Sequence, residues 1–177
     1  MMEEYVIGID IGGTLARAVV LESTTFEIKD QLTKASSDDG QELVQIIKSL
    51  FRKLEDNTKQ SFASLGLGIA GLAHKSGIVR YSPNLPSLVE FPIADEIKKE
   101  LGIPVVMGND ATVGTIAEWE IGAGKGSENF ALVTLGTGIG TGFVVNGHLL
   151  LGSNGFAGEA GHMTIDVNGP VHLTGQK

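Results

Sequence analysis

Residues 5–21 read Tyr5-Val6-Ile7-Gly8-Ile9-Asp10-Ile11-Gly12-Gly13-Thr14-Leu15-Ala16-Arg17-Ala18-Val19-Val20-Leu21, and their pattern decides the fold. Tyr5 to Ile9 is an apolar run that stops at Asp10 and the turn Ile11-Gly12-Gly13-Thr14. Ala16 to Leu21 is again apolar and β-branched, which predicts strand, glycine turn, strand. The plan returns later as Phe130 to Leu135, the stretch Gly136-Thr137-Gly138-Ile139-Gly140-Thr141-Gly142, and Phe143 to Val145. Laid without gaps, Val6–Val20 falls on Ala131–Val145, with Gly13 over Gly138 and Val19-Val20 over Val144-Val145. Two such hairpins, one at the start of each of two expected domains, suggest a duplicated architecture whose turns face a common ligand.

Working outward from the first hairpin, a third strand is expected from Phe26 to Thr33. Asp39 with Glu42 three residues on then makes a capping-box-like helix start. Leu43, Ile46, Ile47, Leu50, Phe51 and Leu54 follow at helical spacing, so one face of that helix is buried. Leu65 to Ala70 reads as a buried strand closed by Gly71, and Phe91 to Leu101 as a helix stopped by Gly102 and Pro104. The prolines of Tyr81-Ser82-Pro83-Asn84-Leu85-Pro86 forbid regular structure between them. Val105 to Gly108 is a short strand leading into Asn109-Asp110, and Ala111 to Ile121 is expected to be helical. The glycine-rich, polar stretch Gly122 to Glu128 is the expected boundary between a first domain, residues 1–121, and the start of a second, incomplete one, residues 122–177.

The residue types carry chemistry at five places. In Asp10-Ile11-Gly12-Gly13-Thr14 the glycines allow backbone amides to approach a phosphate, Thr14 offers a hydroxyl and Asp10 can orient metal-bound water; the same residues also make a plain tight hairpin. The stretch Gly136 to Gly142 lacks the lysine and hydroxyl pair of a P-loop and the glycine spacing of a dinucleotide fingerprint. It remains a hairpin able to meet phosphate through its amides and Thr137, or simply a glycine-rich turn. Asn109-Asp110 closes a strand and opens a helix, so Asp110 is either a helix cap or a base that takes a proton from an attacking hydroxyl. Glu159 and His162 stand three residues apart among glycines, and Asn84 lies between two prolines; each can bond a sugar hydroxyl or serve a local turn.

Bulk composition narrows the partners. Thirteen basic against 21 acidic residues leave the 177-residue chain at −8, which disfavours a broad grip on nucleic acid or an anionic membrane. There is no cysteine, hence no disulfide or thiolate metal site. The N-terminus has no basic start with a long apolar run, and no apolar stretch is long enough to span a bilayer, so the expectation is a soluble, cytoplasmic protein.

Taken in order, Asp10-Ile11-Gly12-Gly13-Thr14, Pro83-Asn84-Leu85-Pro86, Gly108-Asn109-Asp110-Ala111, Leu135-Gly136-Thr137-Gly138-Ile139-Gly140 and Gly158-Glu159-Ala160-Gly161-His162 resemble the motifs of the ROK family of sugar kinases and repressors. The resemblance implies an α/β, actin-like ATPase fold of two RNase H-like domains, each a mixed sheet with flanking helices, with ATP and magnesium between them and a hexose in the cleft. It also implies Asp110 as catalytic base and Asn84, Asn109, Glu159 and His162 as sugar ligands. Gly12, Gly13, Thr14, Thr137 and Gly138 would meet the nucleotide phosphates, and Asp10 would act near magnesium.

The chain departs from the family pattern in two ways. Family members continue through most of a second domain, which carries the adenine pocket. They also usually hold a structural zinc with the histidine of the Glu-x-Gly-His motif and three cysteines. His162 would be that family ligand, but the first two cysteine positions are His172 and Thr174, and the chain stops before the third, so no zinc is expected. The implied activity is transfer of the ATP γ-phosphate to a hexose hydroxyl, the 6-hydroxyl of glucose first, because the Pro-Asn-Leu-Pro segment is closer to glucose-phosphorylating than to amino-sugar members. A homo-oligomer is expected. The alternatives are a non-catalytic, truncated sugar-binding fragment of such a kinase and a sugar-responsive repressor. The latter is disfavoured by the charge and by the nine residues before Asp10, too few for a DNA-binding helix-turn-helix.

Overall fold

The computed structural model describes residues 5–136 and 138–171. It forms two compact units, Met1–Asp110 and Ala111–Lys177.

In the first unit, β1 (Tyr5–Ile11), β2 (Leu15–Glu22), β3 (Ile28–Ala35), β4 (Leu65–Ile69) and β7 (Val105–Asn109) form one mixed sheet in the order β3-β2-β1-β4-β7. The meander β1-β2-β3 is antiparallel, whereas β4 joins β1, and β7 joins β4, in parallel. Alternation along the strands sorts side chains to two faces. Ile7, Ile9 and Ile11 of β1 and Leu65, Leu67 and Ile69 of β4 are buried on one face. The apolar stripe of α1 (Gly40–Thr58), namely Leu43, Val44, Ile47, Leu50, Phe51 and Leu54, packs there, joined by Ile93, Ile97 and Leu101 of α2 (Ile93–Leu101). On the other face, β1 presents Val6, Gly8 and Asp10.

The ends of these elements follow from local chemistry. Asp39 caps α1, its Oδ1 accepting the Glu42 N–H at 2.8 Å, as the sequence anticipates. Gly102 ends α2 in the left-handed region at φ 75°, and its N–H donates to the Lys98 carbonyl. The same helix starts two residues later than the apolar pattern suggests, because Phe91 is engaged in a two-way backbone pairing with Val79. Those bonds attach a small hairpin not foreseen from the sequence, β5 (Leu72–His74) with β6 (Ile78–Tyr81). The third strand also begins later than expected. Phe26 sits at φ 59° in the turn after β2, where the Phe26 N–H donates to the Glu22 carbonyl at 2.9 Å.

In the second unit, α3 (Asp110–Glu120) is followed by a three-stranded antiparallel sheet, β10-β9-β8, made from β8 (Phe130–Leu135), β9 (Ile139–Val145) and β10 (His148–Leu149). Asn146 and Gly147, both at positive φ, turn β9 into β10. Glycines let α3 and the sheet approach: a Cβ on Gly114 would stand 3.3 Å from Leu132 Cδ2, and one on Gly140 would stand 2.9 Å from Ala111 Cβ. The repeat of the opening hairpin is real at the level of strands. Its turns differ, since residues 12–15 lie between the paired Ile11 and Ala16 but only residues 136–138 between Leu135 and Ile139. Among the described residues no helix is long and apolar enough to cross a membrane.

Glu22 supplies a test of the β2–β3 turn. The hydroxyl and amide of Thr25, the latter donating to Glu22 Oε2 at 2.6 Å, hold its carboxyl down to about 2 from the ordinary 4.5. Folding lowers this pKa, so the associated stability is present above 4.5 and is lost as pH falls through about 2. Glu22→Gln is expected to flatten the acid limb of the melting-temperature profile over that window, measured by thermal scans at stepped pH.

Candidate functional site

Parallel pairing brings three strand ends into line: Ile11 stands beside Ile69, and Ile69 beside Asn109. Asp10, the Gly12-Gly13-Thr14 turn, Gly71 and Asn109-Asp110 therefore gather at the carboxyl ends of β1, β4 and β7, where α/β sheets commonly bind ligands. The Asn109 amide donates from Nδ2 to the Gly71 carbonyl at 2.9 Å, which ties the end of β7 to the residue just past β4. Gly71 is at φ 120°, and a Cβ there would lie 2.5 Å from the Tyr81 carbonyl oxygen, so this junction is built for glycine.

Asn84 reaches the same region through the backbone. A Cβ on Gly13 would stand 2.8 Å from the Asn84 carbonyl oxygen and 2.9 Å from its Cβ, so the Pro83-Asn84-Leu85-Pro86 loop rests directly on the glycine turn. Gly12 uses its N–H within that turn, donating to the Leu15 carbonyl at 3.0 Å. Gly13 and Thr14 form the exposed tip of the turn.

Arg17, not singled out from the sequence, is the cross-strand partner of Asp10, with its guanidinium 3.8 Å from Asp10 Oδ2. Burial raises the Asp10 pKa above its usual 3.8, the Asp110 carboxylate raises it further, and Arg17 offsets part of the rise. Two neighbouring carboxylates compensated only in part by an exposed arginine are a donor set that a hard divalent cation would suit; magnesium commonly takes one or two carboxylates and keeps its waters.

In the second unit, the segment Gly158 to His162 lies along β9. Thr141 Oγ1 donates to the Gly158 carbonyl and accepts the Ala160 N–H, the latter at 3.1 Å. This bracket, absent from the sequence reading, leads into the 3₁₀ turn Ala160–His162, where His162 Nε2 stands 3.8 Å from Glu159 Oε2. Both side chains are partly exposed. Gly138 is in the β8–β9 turn, where its carbonyl accepts the Gly136 N–H at 3.0 Å. Thr137, His172 and Thr174 lie outside the described residues. Among the described residues no group of three or more His, Cys, Asp or Glu is placed to hold a metal.

With this geometry in hand, the family is decided by sequence comparison: the ROK family model matches residues 6–177. The chain belongs to the ROK family. It is similar to the glucokinase of Halalkalibacterium halodurans, 35% identical over an alignment of 175 residues that covers 96% of this chain and 52% of that protein. It is also similar to the xylose repressor of Bacillus subtilis, 31% identical over 176 residues, 98% of this chain and 46% of that one. A solved ROK family glucokinase from Streptomyces griseus, in complex with glucose and AMPPNP, matches with a TM-score of 0.85 at 30% identity, over 94% of this chain and 53% of that structure. The fold is the α/β fold of the actin-like ATPases, a mixed sheet with flanking helices followed by the beginning of a second, similar domain. The chain spans about half the length of the curated relatives it matches.

Two substitutions test the arrangement. Folding raises the Asp10 pKa, so the stability that goes with its protonated form is full below 3.8 and is lost as pH rises through the folded-state value. Asp10→Asn is therefore expected to melt above the wild type at pH 7, with the difference closing as pH falls below 3.8. Gly13→Ala is expected to cost about 1–3 kcal/mol by driving its Cβ against Asn84, read from the urea midpoint.

Proposed function

We propose that this chain is the nucleotide- and sugar-binding front portion of a cytoplasmic, homo-oligomeric hexose kinase that moves the ATP γ-phosphate to a sugar hydroxyl, the 6-hydroxyl of glucose. The observation that carries the reading is the gathering of Asp10, Asn84, Asn109 and Asp110 at three parallel strand ends, in a chain of the ROK family with glucokinase relatives. On this reading residues 1–121 make the first domain, which then includes α3, and residues 122–177 open the second.

Phosphoryl transfer asks the protein mainly to position reactants and to compensate charge. Asp110, exposed in the first turn of α3, is the base that accepts the proton of the attacking hydroxyl. Asn84 and Asn109 bind sugar hydroxyls; Asn109 is oriented by its bond to Gly71, and Asn84 by the seat of its loop on Gly13. Glu159, an acceptor, and His162, able to donate or accept, take further hydroxyls. The turn Gly12-Gly13-Thr14, the Thr14 hydroxyl, Thr137 and Gly138 meet the nucleotide phosphates. Asp10 would hold magnesium, which when bound would supply positive charge at the phosphate oxygens. Relief of the Asp10–Asp110 repulsion supports this assignment.

The xylose repressor relative favours a second reading, a sugar-responsive repressor, which like a non-catalytic fragment would bind sugar without transfer. Coupled-enzyme detection of ADP release with glucose, ATP and magnesium separates the two. Glucose-dependent release in the wild type, reduced at least about 100-fold in Asp110→Asn, is the outcome expected of the kinase. No release, with glucose still raising the melting temperature, would assign sugar binding alone; no response to any hexose would overturn both.

A further inference from the structure

Between β3 and α1 the chain reads Ser36-Ser37-Asp38-Asp39, and its members face different tasks. Ser36 N–H donates to the Thr14 carbonyl at 2.8 Å, joining this segment to the glycine turn. Ser37 and Asp39 serve the start of α1: Ser37 Oγ donates to Glu42 Oε2 at 2.6 Å and accepts the Asp39 N–H at 3.1 Å, and Asp39 caps the helix. Asp38 is turned away from this network. Its Oδ1 accepts the Ser87 N–H at 2.9 Å and its Oδ2 accepts the Ser87 hydroxyl at 2.7 Å.

Ser87 directly follows the loop that carries Asn84. Pro83 and Pro86 have no N–H, so few backbone bonds can hold that loop. Its inner side is anchored instead, with Leu85 and Leu88 completely buried and the Leu85 N–H bonded within the turn to Ser82. Asn84 and Pro86 stay exposed on its outer side. The two-pronged bond from Asp38 is the external hydrogen-bonded tether of that outer side, and charge-assisted bonds of this kind are stronger than neutral ones.

We infer that Asp38 is a positioning residue: through Ser87 it holds the loop on the Gly13 turn, sets where Asn84 stands, and thereby sets affinity for the sugar. The sugar clause rests on the proposed function; the tether itself does not. Because Ser36 ties the same segment to Thr14, the stretch of residues 36–38 also keeps the phosphate turn and the sugar loop in one frame.

Hydrogen exchange and glucose titration of the full chain test this in the wild type, Asp38→Ala, Asp38→Asn and Ser87→Ala. Asp38→Ala is expected to speed exchange of the Leu85, Ser87 and Leu88 amides by about tenfold and to leave the α1 amides unchanged. It is expected to weaken glucose about tenfold with the sugar-free melting temperature nearly unmoved. Asp38→Asn, which can still accept from the Ser87 amide and donate to its hydroxyl but without charge assistance, should restore much of both, and Ser87→Ala should fall between it and Asp38→Ala. Unchanged exchange in Asp38→Ala, an unchanged glucose Kd alongside altered exchange, or equal loss in the Asn variant would each overturn the inference. If the wild-type chain binds no hexose, the kinase reading and the sugar clause fall together, and the exchange result still decides the tether.

Discussion

The central position of β1 governs the first unit, because this strand is paired along both edges, to β2 in one sense and to β4 in the other. Its inward isoleucines give α1 a surface to cover, and burying side chains of that size contributes about 1.5–3 kcal/mol each. Parallel pairing with β4, and of β4 with β7, then brings Asn109-Asp110 level with the end of β1. The position of the polar residues is thus inherited from apolar packing. Asp10 and Asp110 share a neighbourhood because Ile11, Ile69 and Asn109 are in register, not because the two carboxylates attract anything in each other.

The electrostatics of that neighbourhood run against stability. Asp10 is partly desolvated, faces a like charge, and has only a distant, exposed arginine in compensation. Sites that hold groups unfavourably in the free protein gain when a ligand relieves the repulsion. The loop holding Asn84 follows a different logic. It is deprived of backbone donors by its prolines and is located by what it rests on: buried leucines, a bare glycine and the Asp38 carboxylate.

Much of this was legible from residue types. The alternation of Ile7, Ile9 and Ile11, the cap Asp39 with Glu42, the α1 stripe and the Gly102-Pro104 stop are local signals, and the elements they mark are present. The candidate residues at strand ends were legible for the same reason, since an apolar run that halts at a polar residue marks the place. The β5–β6 hairpin was not, because strands of three and four residues are too short to show alternation. Asn146-Gly147 is a strong turn signal, but the strand beyond it has only two residues and so shows no alternation to pair with it. Partnerships set by register or by distance along the chain leave no local trace: Arg17 opposite Asp10, Asp38 with Ser87, and Thr141 under Gly158 each became visible only in the folded chain.

Since β1 has its fold-bearing and its chemistry-bearing residues on alternate positions, the strand tolerates change of identity far better than change of length. One residue inserted or deleted between Tyr5 and Asp10 would carry the carboxylate into the α1 interface and turn the isoleucines outward. Substitutions are therefore best absorbed at the exposed Val6, and insertions and deletions in turns such as the one around Phe26, where no side-chain face has to be kept.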